Sequence, residues 1–229
     1  MKRPIMSGAL SSVLALMSLS ALAQTDLYNE NPSYNLTGNV ETGYTGNVGN
    51  NFQVLAGSTV DVTALGFYDG TPGMWTGSGT VVNNHTLSLW GPSATSGGNL
   101  GSLNLASVTL NAGATVDANG FAWVTLSTPI ALVPGDYYDV LTSMTAGSGN
   151  DAYLQPYDTG SSGNPSYVLT SGAPFKIVQG AYSTSGYAYS LSTYLGPNLQ
   201  YEIVPEPSTV ALGGIGLMAL MAYRRRAVK

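Results

Sequence analysis

His85-Thr86-Leu87-Ser88-Leu89-Trp90 alternates without a break. His85, Leu87 and Leu89 share one side of an extended chain, and Thr86, Ser88 and Trp90 share the other. A period of two marks a strand whose faces are used differently. The pattern continues outward from this stretch. Upstream, Thr59–Tyr68 sets Val60, Val62 and Ala64 on one face; downstream, Asp136–Met144 sets Tyr138, Val140 and Thr142 against Tyr137, Asp139 and Leu141. Leu103–Leu110, Phe121–Ser127, Phe175–Val178, Tyr182–Leu191 and Leu199–Val204 are further strand candidates. Asp69-Gly70, Pro72-Gly73, Asn119-Gly120 and Pro134-Gly135 punctuate them as turns. Pro134-Gly135 reads as a type II turn, with Pro second and Gly third. Gly66, inside a strand, marks a bulge or a close approach. Apart from the two ends, no stretch has a 3.6-residue period, and there is no internal repeat. The expected fold is all-β: an antiparallel β-sandwich, jelly-roll or Ig-like, with eight or so strands in one domain over residues 52–204. Residues 24–51 are polar, rich in Gly and Asn, and expected to be an irregular lead-in or to hold one edge strand around Tyr34–Val40. Residues 157–194 have room for long loops.

The ends are of another kind. Lys2 and Arg3 precede a Leu/Ala/Ser/Met run from Ala9 to Leu22, and Ala21-Leu22-Ala23 is a small-x-small cleavage site before Gln24. That order is a secretory signal peptide over residues 1–23, with signal peptidase as its processing partner. At the other end stand Pro205-Glu206-Pro207-Ser208, an apolar run from Thr209 to Ala222, and Arg224-Arg225-Arg226. The run favours a bilayer and the arginines favour its cytoplasmic side. Its 14 residues fall short of the ~17–25 of a comfortable span. Gly213, Gly214 and Gly216 weaken it further as a helix. A short hydrophobic helix that marks the membrane strongly but anchors weakly reads as a temporary anchor.

Removing the ends changes the charge. The whole chain carries a formal −5, but residues 24–204 hold 11 acids and one base, Lys176, a net of −10. Nucleic acid is not an expected partner, because phosphate binding needs clustered Lys and Arg. The charge suits solubility outside the cell. There is no cysteine, which excludes disulfide scaffolds, thiol nucleophiles and cysteine metal sites, and leaves stability to a core.

Chemistry is sparse. The single histidine, His85, shares parity with Leu87 and Leu89 and is expected to be a packed side chain with one hydrogen bond rather than a catalytic base. No Gly-x-Ser-x-Gly elbow is present, and one His without Cys does not make a zinc site. Asp136, Asp139, Asp151 and Asp158 are near in sequence, but no spacing singles out a catalytic pair. No cofactor is expected. Calcium is the candidate metal, with loop acids Asp69, Asn150-Asp151 and Asp158 as ligands, against the plainer role of solvated turn residues. Trp90, Phe121 and Trp123 are expected to be core or sheet-face aromatics. Tyr182, Tyr187, Tyr189 and Tyr194 crowd one stretch; Tyr187 and Tyr189 share a strand face and are the candidates for stacking on sugar rings. The sequons at Asn35 and Asn84 are read as chance matches.

The C-terminal triplet Pro205-Glu206-Pro207, the Gly-bearing apolar run and Arg224-Arg225-Arg226 resemble the PEP-CTERM sorting signal of Gram-negative bacteria. The resemblance, confined to residues 205–229, implies an exosortase as partner, a transient stay in the inner membrane, cleavage near the motif, and delivery to the cell envelope or extracellular matrix. Ala64-Leu65-Gly66-Phe67-Tyr68-Asp69, His85–Trp90, Phe121-Ala122-Trp123-Val124-Thr125-Leu126, Leu132-Val133-Pro134-Gly135-Asp136-Tyr137 and Leu195–Tyr201 occur in that order. Together they resemble an uncharacterised β-sandwich domain of exported bacterial proteins, which implies a fold and a setting but no activity. The expected function is a structural or adhesive role in an exopolysaccharide or biofilm matrix. The alternative is a polysaccharide-binding module, and a secreted hydrolase ranks third; no enzymatic activity is expected.

Overall fold

Strands form where apolar and polar residues alternate, because each face then meets one environment. The computed structural model describes residues 24–30, 40–41, 45–57, 59–69, 80–95, 103–144, 153–154, 167–169, 172–183, 187–190, 194, 196–204, 213–214, 216, 218–221 and 223–224. Its strands are β1 (Thr25–Asp26), β2 (Tyr28–Glu30), β3 (Val40–Glu41), β4 (Gly46–Val54), β5 (Val60–Tyr68), β6 (His85–Ser93), β7 (Asn104–Leu110), β8 (Phe121–Leu132), β9 (Tyr137–Met144), β10 (Tyr153–Leu154), β11 (Tyr167–Leu169), β12 (Phe175–Ser183), β13 (Tyr187–Ser190) and β14 (Pro197–Ile203). Two antiparallel sheets dominate. One has four strands in the order β1-β14-β5-β8, the other six in the order β13-β12-β4-β9-β6-β7; β10-β3 and β11-β2 are small two-stranded ribbons. This is an all-β sandwich.

The core lies between the sheets. Val62, Leu65 and Phe67 of β5 meet Leu87 and Leu89 of β6 and Tyr138 and Val140 of β9 in one buried cluster. Burying a side chain of that size contributes about 1.5–3 kcal/mol. Aromatic rings bridge the sheets: Phe175 of β12 meets Tyr201 of β14 edge-on at 4.8 Å, and Phe67 of β5 stacks on His85 of β6 at 4.2 Å. The Pro134-Gly135 turn has the expected form. Asp136 N–H donates to the Val133 carbonyl at 3.3 Å, and Gly135 adopts φ 90°, a conformation glycine takes without strain.

Two expectations change, and a third lies mostly outside the described residues. Residues 24–51 are not a mere lead-in: β4 begins at Gly46 and runs through the middle of the six-stranded sheet, and Leu27 and Tyr28 are fully buried. A polar stretch can be central where its buried polar side chains find partners, as Asn50 does. The Asn50 side chain donates to the Tyr194 carbonyl at 2.7 Å and accepts from Tyr194 N–H at 2.9 Å. Asn198 donates to the Tyr28 carbonyl at 2.8 Å, and the Tyr28 hydroxyl donates to the Pro197 carbonyl. A buried network that is well satisfied fixes the register of the strands it joins. Of the proposed edge strand Tyr34–Val40, only Val40 is described, in β3; residues 34–39 lie outside the described residues. Finally, Tyr182–Leu191 is not one strand. Tyr182 belongs to β12, and Tyr187 and Tyr189 belong to β13, which pairs back antiparallel. Eight strands have seven residues or more among those described.

The signal helix expected over residues 1–23 lies outside the described residues. Near the C-terminus, residues 213–214, 216, 218–221 and 223–224 are helical. Among the described residues no helix is long and apolar enough to cross a membrane.

Candidate functional site: the outer face of the six-stranded sheet

Along β9, Tyr138, Val140 and Met144 join the core, so Tyr137, Asp139, Leu141 and Ser143 face the other way. Strand register extends this outer face into rows. One row reads Gln179, Asn51, Asp139, Trp90 and Asn104 across β12, β4, β9, β6 and β7. A second reads Tyr189, Ala181, Gly49, Leu141, Ser88 and Ser107. A third places Lys176, Gln53, Tyr137 and Ser93 together. Amides, hydroxyls and aromatics thus make up most of the polar groups in these rows, which carry two ionisable charges, Asp139 and Lys176.

The middle of the face is closed to solvent and the rim is open. Leu141 and Ala181 are buried, with Trp90 packed against them. Asn51 and Asp139 are 2% and 5% exposed. Trp90, Gln53, Tyr137 and Gln179 are half-buried, and Lys176 is exposed. Trp90 is held in place by its indole N–H, which donates to Ser88 Oγ at 2.9 Å. Gln53 donates to the Gly135 carbonyl at 2.9 Å.

Asp139 is the perturbed group. Burial pushes its carboxyl up to about 7, opposed by the Asn51 amide, which donates to it at 3.1 Å. The same amide nitrogen donates to the Tyr138 carbonyl at 3.2 Å, while Asn51 Oδ1 is buried without a hydrogen-bond partner. This pair was not legible from sequence, because Asn51 lies in a segment read as lead-in. The only available signal was the parity of Asp139 with Leu141.

The expected site residues are scattered. His85 is 2% exposed; its Nδ1–H donates to the Ser143 carbonyl at 2.8 Å and its ring stacks on Phe67. Phe121 is buried in the core, and Trp123 lies half-buried over Gly66. Tyr187 and Tyr189 hold register positions on the outer face, opposite Ser183 and Ala181, but their side chains lie outside the described residues. Of the calcium candidates, Asp69 is buried at the end of β5, and Asn150, Asp151 and Asp158 lie outside the described residues. Among the described residues no three His, Asp or Glu side chains converge. Asp26, raised by burial, lies near Asp117 and accepts from Gln200 and Asn119. Asn84 is exposed and accepts from Ala112 N–H at 2.8 Å; Asn35 lies outside the described residues.

Of the sorting residues, Ala21, Ala23, Pro205, Glu206, Pro207, Arg225 and Arg226 lie outside the described residues. Gln24 is exposed at the start of the sandwich, where its amide donates to Thr63 Oγ1 at 2.6 Å, and Arg224 is an exposed helical residue. A family model described as the PEP-CTERM protein-sorting motif matches residues 204–226. The match covers Pro205-Glu206-Pro207, the apolar run and the three arginines. The motif implies an exported protein, processed by exosortase and sent to the cell envelope or extracellular side. No curated protein matches the chain.

Proposed function

We propose that this exosortase-sorted protein has a structural and adhesive role in the extracellular polymer, an exopolysaccharide or biofilm matrix. In this reading it passes transiently through the inner membrane before release. The observation that carries it is the rim of the outer face of the six-stranded sheet, where the half-buried Trp90, Tyr137, Gln53 and Gln179 stay partly open to solvent around the buried Asn51–Asp139 pair. Sugars are recognised by such a mixture: ring faces cover C–H surfaces, and amides bond hydroxyls. A body charge of −10 favours neutral or cationic polymers over anionic ones.

A dedicated polysaccharide-binding module is the second reading. It is favoured by the register of β13, which sets Tyr187 and Tyr189 on the face that carries Trp90. An enzymatic role has less support, because the ring of the one histidine is spent on Phe67 and on a backbone carbonyl.

Retention of the mature protein on immobilised exopolysaccharide from its host tests both readings. Clear retention that falls on Trp90→Ala supports a binding face. Absence of retention, with matrix texture unchanged in a deletion strain, removes both. Release of soluble sugar fragments would instead point to a hydrolase.

A further inference from the structure

Five large hydrophobic side chains of the described sandwich stay exposed: Leu55, Val82, Leu103, Val133 and Ile203. Single exposed hydrophobics are ordinary, but clustered ones mark a contact surface. Three of these five gather at one end. Leu55 follows Val54, whose backbone bonds to Gly135 and Asp136 in the turn that begins at Val133. Leu132, just before that turn, is level with Val60 and Ile203 across β8, β5 and β14. Two strand spacings, about 10 Å, therefore separate the turn from Ile203. Leu55, Val133 and Ile203 are 41%, 50% and 47% exposed.

This is also the end from which the chain leaves the sandwich. Val204 N–H donates to the Thr59 carbonyl at 2.9 Å, closing the last strand against the β4–β5 turn. Only Pro205–Ser208 then separate the sandwich from the apolar run that starts at Thr209. Four residues reach about 14 Å at full extension. A bilayer headgroup layer takes up roughly 5–8 Å of that. The end bearing Leu55, Val133 and Ile203 therefore cannot stand far from a membrane that holds residues 209–222. Its loop tips, Leu55-Ala56-Gly57 and Val133-Pro134-Gly135, carry no charge in a body of net −10.

We propose that this end of the sandwich rests on the phospholipid surface while the chain is anchored, with Leu55, Val133 and Ile203 in the headgroup layer. The proposal rests on reading residues 209–222 as a membrane anchor. Its depth is shallow. Asp61 and Glu202 oppose one another one register step behind Val60 and Ile203, and Asp136 closes the turn. Carboxylates there resist entry into hydrocarbon and disfavour anionic lipid. The contact holds the sandwich upright, with its opposite end, at the Asp117–Gly120 turn, directed away from the bilayer.

The chain has no cysteine, so nitroxide labels at single introduced cysteines report one site each. The full chain with its sorting signal intact is placed in phosphatidylcholine vesicles, labelled in turn at Leu55→Cys, Val133→Cys, Met218→Cys and, at the far end, Ala118→Cys. Collisions with a water-soluble nickel chelate are then measured. The proposal expects the labels at 55 and 133 to lose collisions relative to the label at 118, and the label at 218 to be shielded most. A shielded 218 with 55 and 133 as accessible as 118 overturns the docking and leaves the anchor standing. An accessible 218 overturns the anchor reading, and the docking with it.

Discussion

Asp139 concentrates the chemistry of the described sandwich into one carboxyl. Its pKa is raised by burial to about 7, so on raising the pH the unfolded chain loses this proton first. The native state then binds more protons than the unfolded one, and stability falls as pH rises from about 4 to about 7. The stability present below that window is lost above it. Asp139→Asn removes the ionisation and keeps an acceptor for the Asn51 amide. The variant is expected to be more stable than the parent at pH 8 by a few kcal/mol, and close to it near pH 4. Urea unfolding at both pH values measures this; an equal pH slope in the two proteins contradicts it. The sequence revealed the parity of Asp139 but not its burial, since burial is set by what three neighbouring strands bring beside it. His85 was easier to read. Its parity with Leu87 and Leu89 placed it against the core, and there it packs on Phe67.

At the scale of elements, Gly66 and Trp123 form a cross-strand pair between β5 and β8, and the indole ring covers the glycine. A Cβ on Gly66 would stand 2.3 Å from Trp123 Cε3. The ring has little freedom to yield, because its N–H donates to Asp117 Oδ2 at 2.8 Å while Asp117 Oδ1 accepts from the backbone N–H groups of Asn119 and Phe121. Gly66→Ala is expected to cost about 1–3 kcal/mol. Much of that cost should vanish in a Trp123→Ala background, and a double-mutant cycle by chemical denaturation reads the coupling. Additive effects would show that the ring does not press on this glycine. Strands with apolar alternation, such as β5, β6 and β9, were legible because burial writes a period of two into them. The central strand β4 was not, because Gly49, Asn50 and Asn51 break the apolar signal. What holds β4 is non-local: Asn50 bonds the backbone of Tyr194, 144 residues away. The break between β12 and β13 was missed because Tyr182–Leu191 is rich in tyrosine and serine on both faces, with no apolar stripe to betray the turn.

At the scale of the whole molecule, a sandwich of net charge −10 sits between two basic ends. That separation is what made the sorting signal legible. A signal read in linear order by membrane machinery must be written in linear order, and the residue 204–226 match agrees with it. The outer face proposed to meet the polymer has no such constraint. Its row from Gln179 to Trp90 draws on four strands whose members, Asn51, Trp90, Asp139 and Gln179, lie up to 128 positions apart in the chain, and only the register assembles it. On the function proposed above, the sandwich is exported, held briefly at the membrane, and cut free at its motif. Both termini of the mature protein, determined by mass spectrometry after separating membrane, envelope and matrix fractions of a host that carries exosortase, test it most directly. The expected product is found in the matrix or envelope, starts at Gln24 and ends within Pro205–Ser208. A product that keeps Arg224–Lys229 and stays in the membrane fraction would contradict it.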